Sequence, residues 1–226
     1  SVSVPYSFKN PQTFIDTNIL GALNIFRASL INKKKIKKII QVSSSEVYGN
    51  KLFKNKKVFT EEDITISETP YSATKIASEN LAIFKATGTP IVIARPFNTF
   101  GPKQSLRAVI PTIITQFILL NKKNNYIRIG NLQTRRDFVY IIDTVNGLIS
   151  LLKKSCKPGE VYNICTGKSF SIKNIINNLN LITKKNPKIL VSKNRLRSAD
   201  LIELKGSNKK IFRSNNWSPK YKNNEG

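Results

Sequence analysis

The sequence predicts an α/β protein built on a parallel sheet with helices on its faces. Two short apolar runs without polar alternation, residues 38–42 and 89–94, have the composition of strands that are buried on both faces. Between them, apolar residues at helical spacing cover residues 71–85, and the helix ends near Gly88. Strand, helix and strand joined in this order favour a parallel, helix-flanked sheet.

The other elements are predicted from the same patterns in chain order. Residues 11–31 carry apolar side chains at helical spacing, and Asn10 followed by Pro11 supplies an N-cap and a first-turn proline. Beyond Pro96 the pattern predicts helices at 108–121, 143–154 and 171–181, strands at 126–129, 161–166 and 189–191, and a short helix before Trp217. We infer a sheet followed by a smaller, intertwined C-terminal lobe.

Composition excludes several kinds of chemistry. At 226 residues and 40% hydrophobic content, the chain is long enough for one large domain. It contains no histidine, which removes Ser-His-Asp and Cys-His catalysis and most zinc sites. Cys156 and Cys165 lack the Cys-x-x-Cys spacing, so we expect structural thiols and no metal site.

The charge pattern indicates a solvated surface. The net charge of +25 comes from 29 lysines and nine arginines against 13 acidic residues, and the lysines are scattered among asparagines. Nucleic-acid readers favour arginine with interleaved aromatic residues, so we predict no nucleic-acid partner. The sequence contains no apolar run near the length of a membrane span and no signal-peptide pattern at its start, which predicts a cytoplasmic protein with no membrane partner.

The residues that can carry chemistry lie in two segments. Residues 43–46, Ser-Ser-Ser-Glu, follow the first predicted strand at its carboxyl end, where open α/β sheets place their ligand groups. Tyr71 and Lys75 stand four residues apart at a helix start and therefore share one face. An ammonium group beside a phenol lowers the pKa of the phenol, which makes Tyr71 a candidate base for an alcohol. Removing hydride from that alcohol requires a nicotinamide cofactor.

The Tyr-x-x-x-Lys spacing is weak when taken alone. A chain with this much tyrosine and lysine contains it about once by chance, and a half-buried tyrosine beside a solvated lysine has the same pattern. The upstream serines and Glu46 favour the catalytic interpretation.

The chain resembles the extended short-chain dehydrogenases/reductases that act on nucleotide sugars as NAD-dependent epimerases and dehydratases. The resemblance rests on residues 15–21 (IDTNILG), 43–49 (SSSEVYG), 70–75 (PYSATK), 95–102 (RPFNTFGP), 108–112 (AVIPT) and 136–139 (RDFV). Within the family the chain is most similar to 4,6-dehydratases of UDP-N-acetylglucosamine-type substrates in nonulosonic-acid pathways. The resemblance implies a partial Rossmann-like parallel sheet, its first βα units missing, in residues 1–100 with 131–155 returning to it. Residues 101–226 would mainly form a smaller α/β substrate-binding lobe.

The resemblance also implies catalytic roles. Tyr71 would remove the proton of a sugar hydroxyl, Lys75 would lower the pKa of Tyr71 and bind the nicotinamide ribose, and Ser44 would bind the same hydroxyl. After oxidation at C4, Glu46 would remove the C5 proton, water would leave from C6, and hydride would return to C6. Ser45, counted in the same catalytic set, stands where many hexose 4,6-dehydratases carry an aspartate, so the resemblance does not identify the acid that protonates the leaving hydroxyl.

Binding roles are implied for further residues. NAD would contact Asn18, Ser43, Tyr71, Lys75, Pro96 and Phe97. The nucleotide-sugar substrate would contact Asn98, Arg107, Arg136 and Arg197, with Arg136 as a phosphate partner. The family commonly dimerises through the first helix and the helix of Tyr71, which predicts a homodimer for the full-length parent; packing of Leu81 and Phe84 on the sheet is the alternative.

Three alternatives stay open on these residues. A Ser-Glu pair also resembles the UDP-glucuronate decarboxylases, and a nucleotide-sugar 4-epimerase would use the same serine, tyrosine and lysine. A non-catalytic nucleotide-sugar-binding relic is the alternative of another class.

The family's Gly-rich phosphate loop is missing from the sequence. The two glycines nearest each other, Gly159 and Gly167, are eight positions apart, and the chain has no methionine at position 1. Backbone N–H groups of such a loop hold the dinucleotide pyrophosphate. We therefore expect a fragment that binds NAD weakly, or not at all, on its own.

Overall fold

Helices and strands alternate along the chain in this computed structural model, which describes residues 2–32, 34–49, 58–85, 90–153, 156–192 and 203–221. The helices are α1 (Val4–Lys9), α2 (Pro11–Phe14), α3 (Gly21–Ile31), α4 (Pro70–Lys85), α5 (Val109–Ile118), α6 (Ile141–Lys153), α7 (Ile172–Thr183) and α8 (Lys209–Asn215). The strands are β1 (Ile39–Val42), β2 (Ile91–Pro96), β3 (Asn98–Phe100), β4 (Tyr126–Ile129), β5 (Arg135–Arg136), β6 (Phe138–Tyr140), β7 (Val161–Ile164), β8 (Phe170–Ser171), β9 (Lys188–Val191) and β10 (Glu203–Leu204). A π-helical turn, Ile15–Leu20, joins α2 to α3, and a 3₁₀ turn, Ser45–Tyr48, follows β1.

The site is built on a parallel sheet with the strand order β1-β2-β7. Val42 pairs with Ala94, and Arg95 pairs with Asn163. The first five residues of β2 are all buried, which explains why this run lacks polar alternation. The parallel α/β arrangement predicted from the sequence is confirmed. Strand β7 pairs with β2, and α6 packs on β1 and β2, so both segments return to the first sheet. The division of the chain into two lobes stays a prediction.

Within the described residues, the remaining strands form three small sheets, all from residue 98 onward. Their orders are β3-β6, β4-β9 and β10-β5-β8. A separate apolar core lies between α5, α7 and these strands; its fully buried members include Ile113, Ile127 and Ile176. Five of the strands contain only two or three residues, too few to show a periodic pattern in the sequence.

The N-terminal helices pack beside α4. The ring of Phe14 meets the ring of Tyr71 edge-on, with centroids 6.1 Å apart, and Phe26 and Leu81 contribute to a core cluster against β2. Residues Pro11–Ile31 form a 21-residue helical stretch with a hydropathy of 1.2, long and apolar enough to cross a membrane by length and composition alone. The sequence-based expectation was that no run comes near that length. In this fold the stretch buries two polar residues, Asn18 and Ser29, beside Phe14 and Phe26, while Leu20, Ile25 and Ile31 are exposed.

Candidate active site

The carboxyl end of β1 leads directly into the Ser-Glu turn. The backbone N–H of Ser43 donates to the carbonyl of Ala94 at 2.7 Å, which continues the ladder with β2. Ser44 is extended, and its Oγ accepts from the N–H of Glu46 at 3.2 Å, so it caps the 3₁₀ turn that Ser45 begins. Gly49 ends the turn with a φ of 59°. A Cβ there would lie 2.7 Å from the Ile66 carbonyl oxygen, so the turn requires glycine.

Helix α4 places Tyr71 and Lys75 beside this turn. The N–H groups of Glu68 and Thr69, which precede α4, donate to Ser72 Oγ in its first turn at 3.2 and 3.1 Å. Both Tyr71 and Lys75 are buried. Lys75 Nζ donates to the Val42 carbonyl at 2.9 Å and lies 5.9 Å from the centre of the Tyr71 ring. The ammonium therefore lies at the end of β1 with the phenol ring nearby.

The surroundings of Tyr71 shift the pKa of its phenol in opposite directions. Burial raises the pKa of the Tyr71 phenol, a hydrogen bond with Ser44 lowers it, and the negative charge of Glu46 raises it. Burial lowers the pKa of Lys75, while the carboxylate of Glu79 raises it. Ser44, Glu46, Tyr71 and Lys75 are thus brought together.

The sequence-based prediction that Tyr71 has a lowered pKa is wrong for this structure. Burial outweighs the Ser44 hydrogen bond. In addition, the Lys75 ammonium is directed at a backbone carbonyl rather than at the phenol oxygen. The protonated phenol is favoured as a result.

A cleft of about 540 Å³ opens next to Lys75, between β1 and the π-helical turn. Its lining residues are Thr17, Asn18, Gly21, Ala22, Ile25, Phe26, Ile39, Ile40, Gln41, Val42 and Lys75. Asn18 Nδ2 donates to Thr74 Oγ1 at 3.0 Å, and Thr74 Oγ1 donates to the Tyr71 carbonyl at 2.8 Å. Asn18 therefore ties the wall of the cleft to the first turn of α4.

Two of the predicted binding residues carry buried oxygens that have no hydrogen-bond partner among the residues described. These atoms are Ser43 Oγ and Asn98 Oδ1. An unsatisfied buried polar group costs about 1–3 kcal/mol, which a ligand hydroxyl or amide would offset. Such groups suit the polar groups of a nucleotide cofactor and its substrate, although of the three residues Ser43, Asn98 and Lys75 only Lys75 lines the cleft. The sequence contains no Gly-rich turn that would bind a pyrophosphate.

Asn98 lies on β3 and Arg136 lies on β5, and these strands belong to different small sheets. Asn98 pairs with Phe138, two residues beyond Arg136, and its N–H donates to the Asp137 carbonyl at 3.1 Å. Arg136 is buried, and its Nη1 donates to the Arg135 carbonyl at 2.9 Å.

The other predicted binding residues are placed differently. Pro96 ends β2, and the Phe97 ring packs in the core with Val47, Tyr48 and Val139 instead of lining the cleft. Arg107 is exposed on the loop before α5. Arg197 lies outside the described residues. Within the described ranges, no group of three or more His, Cys, Asp or Glu side chains is placed to hold a metal ion.

Sequence reasoning missed two buried features next to the site. One is an ion pair between Glu79 and Arg95. The sequence does contain a signal for it, because Arg95 is a single arginine in the apolar run of β2 and a buried charge needs a partner. The other is the carboxylate of Asp137, which accepts from Thr166 N–H and Oγ1, from Gly167 N–H and from Gly206 N–H. The sequence shows no signal for this second arrangement, because its donors lie far along the chain.

The parallel sheet and the four groups at the end of β1 define the class. This is a Rossmann-like α/β protein of the short-chain dehydrogenase/reductase type. Residues 1–226 match the family model described as GDP-mannose 4,6 dehydratase, and the chain belongs to that family.

Individual relatives show what the chain is similar to. It is 29% identical over 220 residues to GDP-6-deoxy-D-mannose reductase of Pseudomonas aeruginosa, which covers 96% of this chain and 71% of the reductase. It is 35% identical over 182 residues to dTDP-D-glucose 4,6-dehydratase of Dictyostelium discoideum, covering 76% of this chain and 40% of that protein. The solved structure of RMD from Pseudomonas aeruginosa, complexed with NADPH, matches with a TM-score of 0.87 and 26% identity over 100% of this chain and 75% of that one. The predicted family is confirmed, and the relatives named here do not single out UDP-N-acetylglucosamine-type enzymes.

Proposed function

We propose that this chain carries the catalytic residues of an NAD-dependent nucleotide-sugar 4,6-dehydratase. The observation that carries the proposal is the position of Glu46 in the 3₁₀ turn that Ser44 caps, because the Ser44 side chain is also hydrogen-bonded to the Tyr71 phenol. Oxidising an alcohol requires one base. Removing water from C5 and C6 requires a second one, and Glu46 supplies a carboxylate at the same turn.

The chain's own residues divide the proton transfers. Tyr71 takes the proton of the C4 hydroxyl, and Ser44 orients that hydroxyl and stabilises the phenolate by its hydrogen bond. Lys75, whose ammonium is directed at the Val42 carbonyl, would hold the nicotinamide ribose. NAD, when bound, supplies the hydride acceptor and donor. Glu46 removes the C5 proton that the C4 ketone has made acidic, and the hydroxyl leaves from C6 as water. Because Ser45 stands where many relatives have an acid, Glu46 is the carboxyl group that returns a proton to the leaving hydroxyl.

The proposed substrate is a nucleotide sugar. Asn98 has a buried side-chain oxygen without a hydrogen-bond partner among the described residues. Asn98 pairs with Phe138, and the Arg136 guanidinium belongs to the residue two positions before Phe138. A guanidinium binds phosphate oxygens in two-point contact, which suits a nucleotide diphosphate. We assign Arg107 and Arg197 to the same substrate, and we retain UDP-N-acetylglucosamine as one candidate beside GDP and dTDP sugars.

Turnover assays with matched variants test this function. The chain is incubated with excess NAD and with GDP-mannose, dTDP-glucose or UDP-N-acetylglucosamine, and mass spectrometry detects a 4-keto product that has lost one water. We expect Tyr71→Phe to abolish all turnover, and Glu46→Gln to abolish water loss while C4 oxidation remains visible as reduced cofactor. Glu62→Gln, an exposed position, is the control. Water loss catalysed by Glu46→Gln at the wild-type rate would contradict the proposal.

Cofactor binding is measured separately. Without a Gly-rich turn in the sequence, we expect calorimetric titration of the chain with NAD to give an affinity weaker than micromolar. Titration with each nucleotide sugar reports on Asn98 and Arg136 whether or not turnover is seen.

A nucleotide-sugar 4-ketoreductase is the second candidate. The reductase of Pseudomonas aeruginosa aligns with 96% of this chain, and reduction of a ketone needs Ser44, Tyr71 and Lys75 but not a second base. Under this alternative, Glu46→Gln retains reduction of a 4-keto sugar, and no wild-type assay shows loss of water.

A further inference from the structure

A series of buried hydrogen bonds links α4 to the Ser-Glu turn. Glu79 Oε1 and Oε2 accept from Arg95 Nε and Nη2 at 2.9 and 2.7 Å. Arg95 Nη1 donates to the Tyr48 hydroxyl at 3.1 Å, and the guanidinium carbon lies 4.9 Å from the centre of the Tyr48 ring. All three side chains are buried. We call Glu79, Arg95 and Tyr48 the buried relay.

The relay is anchored beyond Tyr48 as well. The Tyr48 hydroxyl donates to Asn163 Oδ1 at 2.6 Å. Asn163, on β7, donates from its N–H to Glu61 Oε1 at 2.8 Å and from Nδ2 to the Phe59 carbonyl at 3.3 Å. The hydroxyl of Tyr48 is thus used as donor and as acceptor, so its position is restrained from both sides.

The two ends of the relay lie next to the candidate catalytic groups. Glu79 is four residues after Lys75, on the same face of α4. Tyr48 is the last residue of the 3₁₀ turn that contains Ser45 and Glu46 and that Ser44 caps. A rigid connection between Glu79 and Tyr48 therefore sets the separation between the two catalytic segments.

Stability alone explains the relay poorly. A buried ion pair gains little over apolar side chains of the same volume, because the attraction has to offset the desolvation of both charges. Paired charges and two-point contacts do fix direction, since an arginine fork holds a carboxylate in one plane. The better explanation is that the relay fixes geometry.

We propose that Glu79, Arg95 and Tyr48 are positioning residues that hold the Ser44–Glu46 turn against the Tyr71 and Lys75 face of α4. The proposal rests on the proposed function, because positioning matters only if these groups act on one substrate. The same Glu79 carboxylate favours the charged form of Lys75. Two other elements contribute groups around Lys75. Strand β1 provides the Val42 carbonyl, which accepts from Lys75 Nζ, and the neutral side chains of Gln41 and Asn18 line the same cleft.

The first test removes one oxygen from the relay. Tyr48→Phe keeps the ring under Arg95 and deletes the hydroxyl, which leaves Arg95 Nη1 and Asn163 Oδ1 without this partner. The matched control is Tyr162→Phe on β7: Tyr162 is also buried, but its hydroxyl donates to Glu160, on the loop that precedes β7, and not to a member of the relay. Hydrogen exchange read by mass spectrometry compares the amides of residues 43–49 with those of α7.

We expect exchange in residues 43–49 to be about tenfold faster in Tyr48→Phe, with α7 unchanged and with no change at 43–49 in Tyr162→Phe. Glu79→Gln, which breaks the other end of the relay, should accelerate the same amides although Glu79 lies on α4. Equal exchange in Tyr48→Phe and the control, or acceleration spread evenly over the molecule, would overturn the positioning role.

The outcome for the relay is separable from the outcome for the enzyme. Both proposals are supported if three results occur together. The wild-type protein converts the substrate, Tyr48→Phe exchanges faster at residues 43–49, and Tyr48→Phe has a lower kcat at unchanged KM. Local acceleration in a chain that is saturated with NAD but converts no nucleotide sugar and no 4-keto sugar supports the mechanical link and refutes the proposed function. A kcat in Tyr48→Phe equal to that of Tyr162→Phe overturns the positioning role even if the turn exchanges faster.

Discussion

Replacing Asp137 by asparagine should change how the stability of the protein depends on pH. The Asp137 side chain is fully buried between β6, the Thr166 turn and Gly206. Its Oδ1 accepts from Thr166 N–H and Oγ1 at 2.8 and 2.6 Å, and its Oδ2 accepts from Gly167 N–H at 2.9 Å. Burial raises the pKa of this carboxyl from 3.8 to about 6, against the lowering effect of those hydrogen bonds.

The sign and size of the effect follow from this pKa. A carboxyl whose pKa is higher in the folded protein holds its proton more tightly there, so folding is favoured at low pH. The stability is lost as the pH rises from 3.8 through about 6. At about 1.4 kcal/mol for each pH unit between the two values, the loss amounts to about 3 kcal/mol. Asparagine has the shape of the protonated acid and does not ionise, so Asp137→Asn should lack this loss.

Urea unfolding between about pH 4 and about pH 7, followed by circular dichroism, measures the effect. Relative to wild type, the free energy of unfolding of Asp137→Asn should rise by about 3 kcal/mol over that range. Glu61 also has a pKa raised by burial, so the wild-type curve alone is insufficient and the difference between the two proteins is the quantity to follow. Asp16→Asn, which removes one negative charge from an exposed site, is the control for the change in net charge. An Asp137→Asn curve parallel to wild type would refute the reasoning.

Three further substitutions should change stability, and thermal unfolding checks each. Gly206→Ala should destabilise by about 1–3 kcal/mol, because the new Cβ would lie 2.4 Å from Phe97 Cζ. Gly21→Ala, the matched control in a helix, should stabilise by about 0.5–1 kcal/mol, since its Cβ would meet only the Asp16 carbonyl at 3.5 Å. Ser171→Ala should cost about 1 kcal/mol, because it removes the capping box at the start of α7. A stabilising Gly206→Ala or a destabilising Gly21→Ala would show that contact distance does not decide the effect of a new Cβ.

Local patterns in the sequence predicted the elements that bury long apolar runs. The continuous run of β2, the apolar spacing of α4 and the strand β4 at 126–129 all have counterparts, with ends that differ by a few residues. The short strands β5, β8 and β10 escaped prediction because pairs of residues have no period. Their pairing, such as Arg136 with Leu204, joins residues far apart in the chain.

The candidate site could be predicted only as a set of residue types. Tyr71 and Lys75 share a helix face by spacing alone, and the Ser-Glu turn follows a strand end. The bond between Tyr48 and Asn163 spans 115 positions, which no local pattern signals. The direction of the pKa of Tyr71 depends on burial, which the spacing of Tyr71 and Lys75 does not report.

Glu46 has two effects on the proposed chemistry that oppose each other. It is the carboxylate that dehydration needs, yet its charge raises the pKa of Tyr71 and so disfavours the phenolate that oxidation needs. Ser44 acts in the other direction through its hydrogen bond. We therefore expect Glu46→Gln to lower the pKa of Tyr71 and Ser44→Ala to raise it. Ultraviolet titration of tyrosinate, with Tyr71→Phe as the reference for the other tyrosines, measures both directions. If neither variant moves the titration of Tyr71, the two side chains do not act on this phenol, and Glu46 cannot be the second base of a single site.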